Sequence, residues 1–161
     1  MARSWVVLVA GAALFAAAAG WWVGGEPAVH TVTVVDTVDG DTLVVRFDDG
    51  TEATVRLLAV DTPETKHPTV GVECFGPEAS AYTHRRLLGV RVAIELDVEA
   101  HDRYGRLLAH VWIDGHRYAD ELLALGLAEL YVLPPNGEYA RTQLRLELDA
   151  RRRGVGLWGA C

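Results

Sequence analysis

Apolar and polar residues alternate with a period of two over much of the chain after residue 29, the signature of half-buried strands. β-Branched residues dominate from His30 to Val38, and Asp39-Gly40 follows as a turn signal. A second strand is predicted over Asp41 to Phe47 and, after Asp48-Asp49-Gly50, a third over Thr51 to Val60. Leu43, Val45 and Phe47 share one face, as do Val55, Leu57 and Ala59. A three-residue loop with Gly50 in the left-handed region lets Leu43 oppose Val55 and Val45 oppose Ala53. A two-residue loop would set apolar against polar throughout. Val90 to Leu96 and Leu107 to Ile113 read as two more strands around the polar stretch Glu99 to Arg106.

Elsewhere the spacing changes to that of helices. Gly76-Pro77 opens a helix over Glu78 to Leu88 that ends at Gly89. Ala119 to Leu125 forms a short helix stopped by Gly126. After the loop Leu133-Pro134-Pro135-Asn136-Gly137, Glu138 to Arg153 forms a longer one, with Ala140, Leu144 and Leu148 along one stripe. The sum is an α+β class, mainly β: a small, partly closed barrel of five strands with three attached helices.

The amino terminus obeys neither period. Between Arg3 and Glu26 lie 22 uncharged residues, which as a helix would rise roughly 33 Å, enough for a bilayer core. Two readings stay open for residues 1–25. A cleaved signal peptide would use Val6 to Ala19 as its apolar region and Ala17-Ala18-Ala19 at the cleavage site. An uncleaved membrane anchor spanning residues 4–25 would place Trp5 and Trp21-Trp22 at the two interfaces. Both put residues 26–161 outside the cytoplasm, as the working domain.

Composition narrows the class further. The chain has 161 residues, 50% of them hydrophobic, and a net charge of −7 from 22 acidic and 15 basic groups. Without Arg3 the exported part carries 14 cations against 22 acids, or −8. That argues against a generic basic coat for nucleic acid, though not against an enzyme whose metal ion brings the positive charge.

Three stretches carry candidate chemistry: Val38-Asp39-Gly40-Asp41-Thr42, Arg56 to Thr65, and Asp102-Arg103-Tyr104-Gly105-Arg106. In the predicted register Asp41 and Asp61 face the same way at the same end of paired strands, where two hard carboxylates suit calcium or magnesium. Glu64, three residues on in a loop stiffened by Pro63, adds a carboxylate able to take a proton from water. Arg56 and Arg106 have the forked donors that grip phosphate oxygens. Simple alternation sends Arg56 to the opposite face, so bringing it in requires a twist or bulge.

Arg56-Leu57-Leu58-Ala59-Val60-Asp61-Thr62-Pro63-Glu64-Thr65-Lys66-His67-Pro68, followed by Gly76-Pro77-Glu78-Ala79-Ser80, resembles the staphylococcal nuclease (thermonuclease) family. The resemblance runs from about Thr31 to Trp158. It implies an OB-fold barrel with three helices. It also implies a calcium-dependent endonuclease, a hydrolase that cleaves DNA and RNA to products ending in a 3′-phosphate. By this likeness Asp41 and Asp61 bind one Ca²⁺ ion together with the carbonyl of Thr62. Glu64 acts through water as general base, Arg56 and Arg106 hold the scissile phosphate, and Tyr104 and Tyr131 line the nucleotide pocket. Three departures accompany it: the acidic charge, Val70 where a lysine can flank the active-site loop, and Leu133 where a second pocket tyrosine is often found. The alternative class is a non-catalytic OB-fold module that binds nucleic acid or peptide. Such domains usually lose the acids or arginines that are retained here.

Cys74 and Cys161 are the only cysteines. An oxidising compartment favours a disulfide between them, against two free thiols or a bridge between chains. Neither belongs to the proposed site, so the expectation is that breaking the bridge lowers the melting temperature and leaves turnover unchanged. His67, His84, His101, His110 and His116 share no metal spacing. Trp112 and Trp158 read as core or helix anchors, and Arg151-Arg152-Arg153 as a solvated helix end. The exported part is expected to be a monomer.

Overall fold

A computed structural model describes residues 29–65 and 71–161. The expected leader over residues 1–25 and the expectations for Lys66, His67 and Val70 lie outside the described residues. Strands β1 (Val29–Thr37), β2 (Thr42–Arg46) and β3 (Glu52–Leu57) form an antiparallel meander. A short β4 (Ala59–Asp61) follows, then helix α1 (Gly76–Leu87) and the long hairpin of β5 (Arg91–His101) and β6 (Leu107–Ile113). The remaining elements are β7 (His116–Arg117), α2 (Tyr118–Ala124), β8 (Glu129–Tyr131), α3 (Ala140–Arg153) and a terminal turn α4 (Leu157–Ala160). β5 pairs with β1, and β6 pairs in parallel with β3, which closes the five long strands into a barrel. This is the OB-type barrel with three helices that the resemblance implied.

The predicted β2–β3 register holds residue for residue: Leu43 faces Val55 and Val45 faces Ala53. Phe47 N donates to Thr51 O at 2.9 Å across a three-residue loop, and Gly50 takes φ 86°. Val32, Val34, Leu43, Val45, Val55 and Leu57 fill the barrel, and Leu87, Tyr118, Leu122 and Leu123 of the helices extend the core. α1 is pinned to the β1–β2 turn by Thr83 Oγ1, which donates to Gly40 O at 2.7 Å and accepts from Tyr118 Oη at 2.9 Å.

Several expectations are corrected. The third strand is not continuous to Val60. Ala59 adopts φ 68°: after Leu58 N donates to Ala109 O of β6 at 3.0 Å, the chain turns away and pairs with β8 as β4. Asp41 sits in the turn before β2 rather than within the strand. β5 extends to His101, so Glu99 to His101 are strand; a register shift between Leu96 and His101 absorbs the polar stretch. α3 begins at Ala140, and its buried face is Gln143, Glu147 and Ala150. Leu144 and Leu148 are 43% and 45% exposed. Glu147 is drawn inward because Leu130 N of β8 and Arg151 Nη2 donate to its Oε1 at 3.0 and 3.1 Å. A backbone group needing an acceptor overrides the hydrophobic stripe there.

Candidate active site

The turn before β2 is built around Asp39. Its Oδ1 accepts from the backbone N–H groups of Asp41 and Thr42 at 3.0 and 2.8 Å, which fixes the direction of the Asp41 side chain. Between them, Gly40 has no room for a side chain: a Cβ there would lie 2.7 Å from Oγ1 of Thr62. That close approach lets Thr62 donate to Asp41 Oδ2 from both its backbone N (2.9 Å) and its hydroxyl (3.1 Å). Two segments twenty-one residues apart in sequence are thereby locked together.

Arg56 occupies the centre of this arrangement and is 8% exposed. Its Nη1 donates to the carbonyls of Leu57 and Val60, both at 2.7 Å, and its Nη2 to Asp61 Oδ1 at 2.7 Å. Nε lies 3.2 Å from Asp41 Oδ1. β2 and β3 pair without a bulge, so the irregularity expected from alternation is elsewhere. The reversal at Ala59 folds β4 back, and it is the carbonyls and Asp61 of that reversal that come to Arg56.

Arg106 arrives from the tip of the β5–β6 hairpin. Asp102 Oδ1 accepts from the backbone N of Tyr104 and Arg106, both at 2.9 Å, and its Oδ2 accepts from Arg106 Nε at 2.7 Å. Burial pushes the Asp102 carboxyl up, but the hydrogen bonds from Arg106 and Tyr104 outweigh it and hold it below the usual carboxylate range. Asp102 and its partner are the familiar i, i+4 spacing used in a hairpin. Asp102 lies in the third polar stretch, and the fold shows that it holds Arg106.

Asp39, Asp41, Arg56, Asp61, Thr62, Glu64 and Arg106 all face one cavity of about 250 Å³. Arg56 and Arg106 also border an adjoining cavity of about 570 Å³, lined further by His101, Tyr104, Tyr131 and Leu133. The proposed metal and phosphate residues are therefore gathered in one cavity, and both pocket tyrosines in the next. The Arg106 guanidinium lies over the Tyr104 ring at 5.6 Å from its centre. Cys74 and Cys161, both distant from Arg56 in sequence, are joined in a disulfide.

Crowding of carboxylates marks the electrostatics. Burial, then the charge of Asp41, raises the Asp39 carboxyl above its ordinary range. Burial also raises Asp61, against the pull of Arg56 and with the help of Glu73, Glu129 and Asp39. A divalent cation relieves such repulsion, and the donors present are hard oxygens only, so the residues fit calcium or magnesium. Among the described residues no three His, Cys, Asp or Glu side chains converge as a ready metal cluster. A cation held by Asp41 and Asp61 would need further oxygens, such as the Thr62 carbonyl and water, to complete its shell.

Two of the described histidines have side-chain partners of their own. His84 Nδ1 meets Thr37 Oγ1 at 3.0 Å, and His116 Nε2 meets Glu121 at 2.6 Å. Trp112 donates to Glu95 Oε2 at 2.5 Å, and the Arg151 guanidinium covers the Trp158 ring at 3.8 Å. Arg152 and Arg153 pair with Asp149 within α3. One residue near the site escaped sequence reasoning. Glu73 Oε2 accepts from Glu64 N at 2.8 Å, a contact across nine positions that no spacing rule signals.

Comparison with known proteins agrees with this geometry. The staphylococcal nuclease homologue family matches residues 54–160. The thermonuclease of Staphylococcus intermedius is 37% identical over 121 residues, 75% of this chain and 71% of that protein. That of Staphylococcus hyicus is 36% identical over 129 residues, 80% of this chain and 76% of its own length. Endonuclease YncB of Bacillus subtilis (strain 168) is 40% identical over 130 residues, 79% of this chain and 61% of that protein. With a family match over more than half of the chain and relatives aligned along at least three-quarters of it, the chain belongs to the staphylococcal nuclease family.

Proposed function

We propose that the protein is a nuclease that hydrolyses phosphodiester bonds of DNA and RNA with one bound Ca²⁺ ion and leaves 3′-phosphate products. The observation that carries this reading is the single cavity in which Asp41, Asp61 and Glu64 face Arg56 and Arg106. The names of the relatives, thermonuclease and endonuclease, support the same reaction class.

Asp41 and Asp61, with the Thr62 carbonyl, would hold the ion, which when bound neutralises phosphate charge and orients a water. Glu64 takes a proton from the attacking water. The water oxygen forms a bond to phosphorus as the bond to the 5′-oxygen breaks, and that oxygen takes a proton from solvent. Arg106, fixed through Nε by Asp102, has its remaining guanidinium donors for a phosphate oxygen. Arg56 exchanges part of its contact with Asp61 for a second phosphate oxygen. Tyr104 and Tyr131 offer faces for the nucleotide beside the cleaved bond. We place the domain outside the cytoplasm as a monomer, secreted or tethered by residues 4–25, and the Cys74–Cys161 bridge supports an oxidising compartment. The test is digestion of plasmid DNA and of RNA with calcium, followed by end-group analysis. Products ending in 3′-phosphate support the reading; 5′-phosphate ends overturn its chemistry.

A further inference from the structure

Glu64 reaches the cavity from a segment whose two ends are joined to each other. Glu64 N donates to Glu73 Oε2 at 2.8 Å, and Glu73 N donates back to Glu64 O at 2.8 Å. Gly76 closes the same corner: a Cβ there would stand 2.8 Å from Glu64 O and 2.9 Å from Pro63 O. The residue after Glu73 is Cys74, bridged to Cys161. Cys161 lies at the end of α4, where its N–H donates to Leu157 O at 3.0 Å. Leu157 is buried, and its N–H donates to Gly126 O at 2.8 Å, in the turn after α2. A covalent and hydrogen-bonded chain thus runs from the helical layer through the disulfide to Glu73 and on to the backbone of Glu64. The bridge also lines a cavity of about 520 Å³ together with Asp61, Glu73 and Tyr131, so it borders the site rather than lying remote from it.

We propose that Glu73 and the Cys74–Cys161 disulfide are positioning elements for Glu64, tying its backbone to the C-terminal turn so that its carboxylate is held at the phosphate cavity. The proposal rests on the reading of Glu64 as the base, and it revises the expectation that breaking the bridge leaves turnover unchanged. Neither Glu73 nor the bridge touches a reacting atom. Their effect is on kcat through geometry, where small misplacements of a reacting group are costly.

The test uses the full chain as Cys74→Ala/Cys161→Ala, Glu73→Ala and Glu73→Gln, at a temperature where each is folded. Three quantities are read: kcat against KM on DNA, calcium affinity, and hydrogen-exchange protection of the Glu64 amide. The double cysteine variant and Glu73→Ala are expected to lose that protection and to drop kcat roughly tenfold, with KM and calcium affinity little changed. Their combination adds no further loss, because both act through one chain of contacts. Glu73→Gln retains an acceptor oxygen and keeps most of the rate. An amide that stays protected without the bridge, or losses that multiply in the combined variant, overturns the proposal. Loss of protection with an unchanged kcat supports the positioning and overturns the role given to Glu64. If the cysteine variant does not fold, Glu73→Ala with an unprotected amide and tenfold lower kcat supports the proposal, and with wild-type values overturns it.

Discussion

Arg56 and Arg106 border the same cavity, yet the chain holds them differently. Arg56 is 8% exposed and donates to two carbonyls and Asp61, whereas the Arg106 side chain is 33% exposed and is tied through Nε to Asp102. Removing either is predicted to lower kcat by about 10²–10³, the usual cost of one transition-state donor. In the calcium-free protein only Arg56→Ala should also cost roughly 3–5 kcal/mol of stability, because it removes the cation beside the buried Asp41. Paired melting curves and kinetics separate the two; equal stability losses contradict the distinction. Lysine is expected to restore neither rate, since it lacks the planar fork. A second residue-scale prediction concerns His110, buried on β6 with Asp97 Oδ2 3.7 Å from Nε2 and the Tyr139 ring edge-on at 4.8 Å. Burial lowers its pKa below 6.5, more than Asp97 and Glu95 raise it, and Arg117 adds to the lowering. The unfolded chain then binds the proton more readily than the native one. The His110 contribution to stability is therefore complete above pH 6.5 and is lost as pH falls through the folded value. Melting temperature measured downward from about pH 7.5 should fall less in His110→Phe than in the wild type; parallel curves contradict the assignment.

The elements that matter most are those that end or turn. The β2–β3 register was legible because both strands alternate and Gly50 admits only one loop length consistent with apolar pairing. The same alternation could not show that β3 stops at Leu57, because Ala59 at φ 68° is a conformation that no residue type signals there. That hidden reversal is what brings Arg56 to Asp61, so the hardest site residue to place from sequence depended on the least predictable backbone angle. The candidate residues were legible in the three polar stretches, and the structure gathers most of them at one cavity. Glu73 and the inward face of α3 were not, because both are decided by a backbone N–H that needs an acceptor. Gly76 gives an element-scale prediction. Gly76→Ala sets a Cβ 2.8–2.9 Å from two carbonyl oxygens at the first turn of α1, and should destabilise by roughly 1–3 kcal/mol while lowering kcat. A variant with wild-type melting and turnover would show that the corner yields without consequence.

At the scale of the whole molecule, an acidic protein surrounds a site that must receive a polyanion. The full chain carries −7, while Arg56, Arg103 and Arg106 cluster at the adjoining cavities. Binding should therefore depend on few phosphate contacts. With about three of them, log K against log salt for double-stranded DNA is predicted to have a slope near −3. A much steeper slope would mean that cations elsewhere, such as Arg151 to Arg153, contribute to the interface. On the proposed reading, Asp41 and Asp61 hold a calcium ion without which the arginines and Glu64 cannot cleave. The test is nuclease activity of the purified protein after metal removal by a chelator, then on titrating calcium back, for the wild type beside Asp41→Ala and Asp61→Ala. The wild type is expected to show no cleavage in chelator and full recovery with calcium. Either variant is expected to need far more calcium or not to recover at all. Cleavage that persists in chelator, or variants that recover at the wild-type calcium concentration, would contradict that reading.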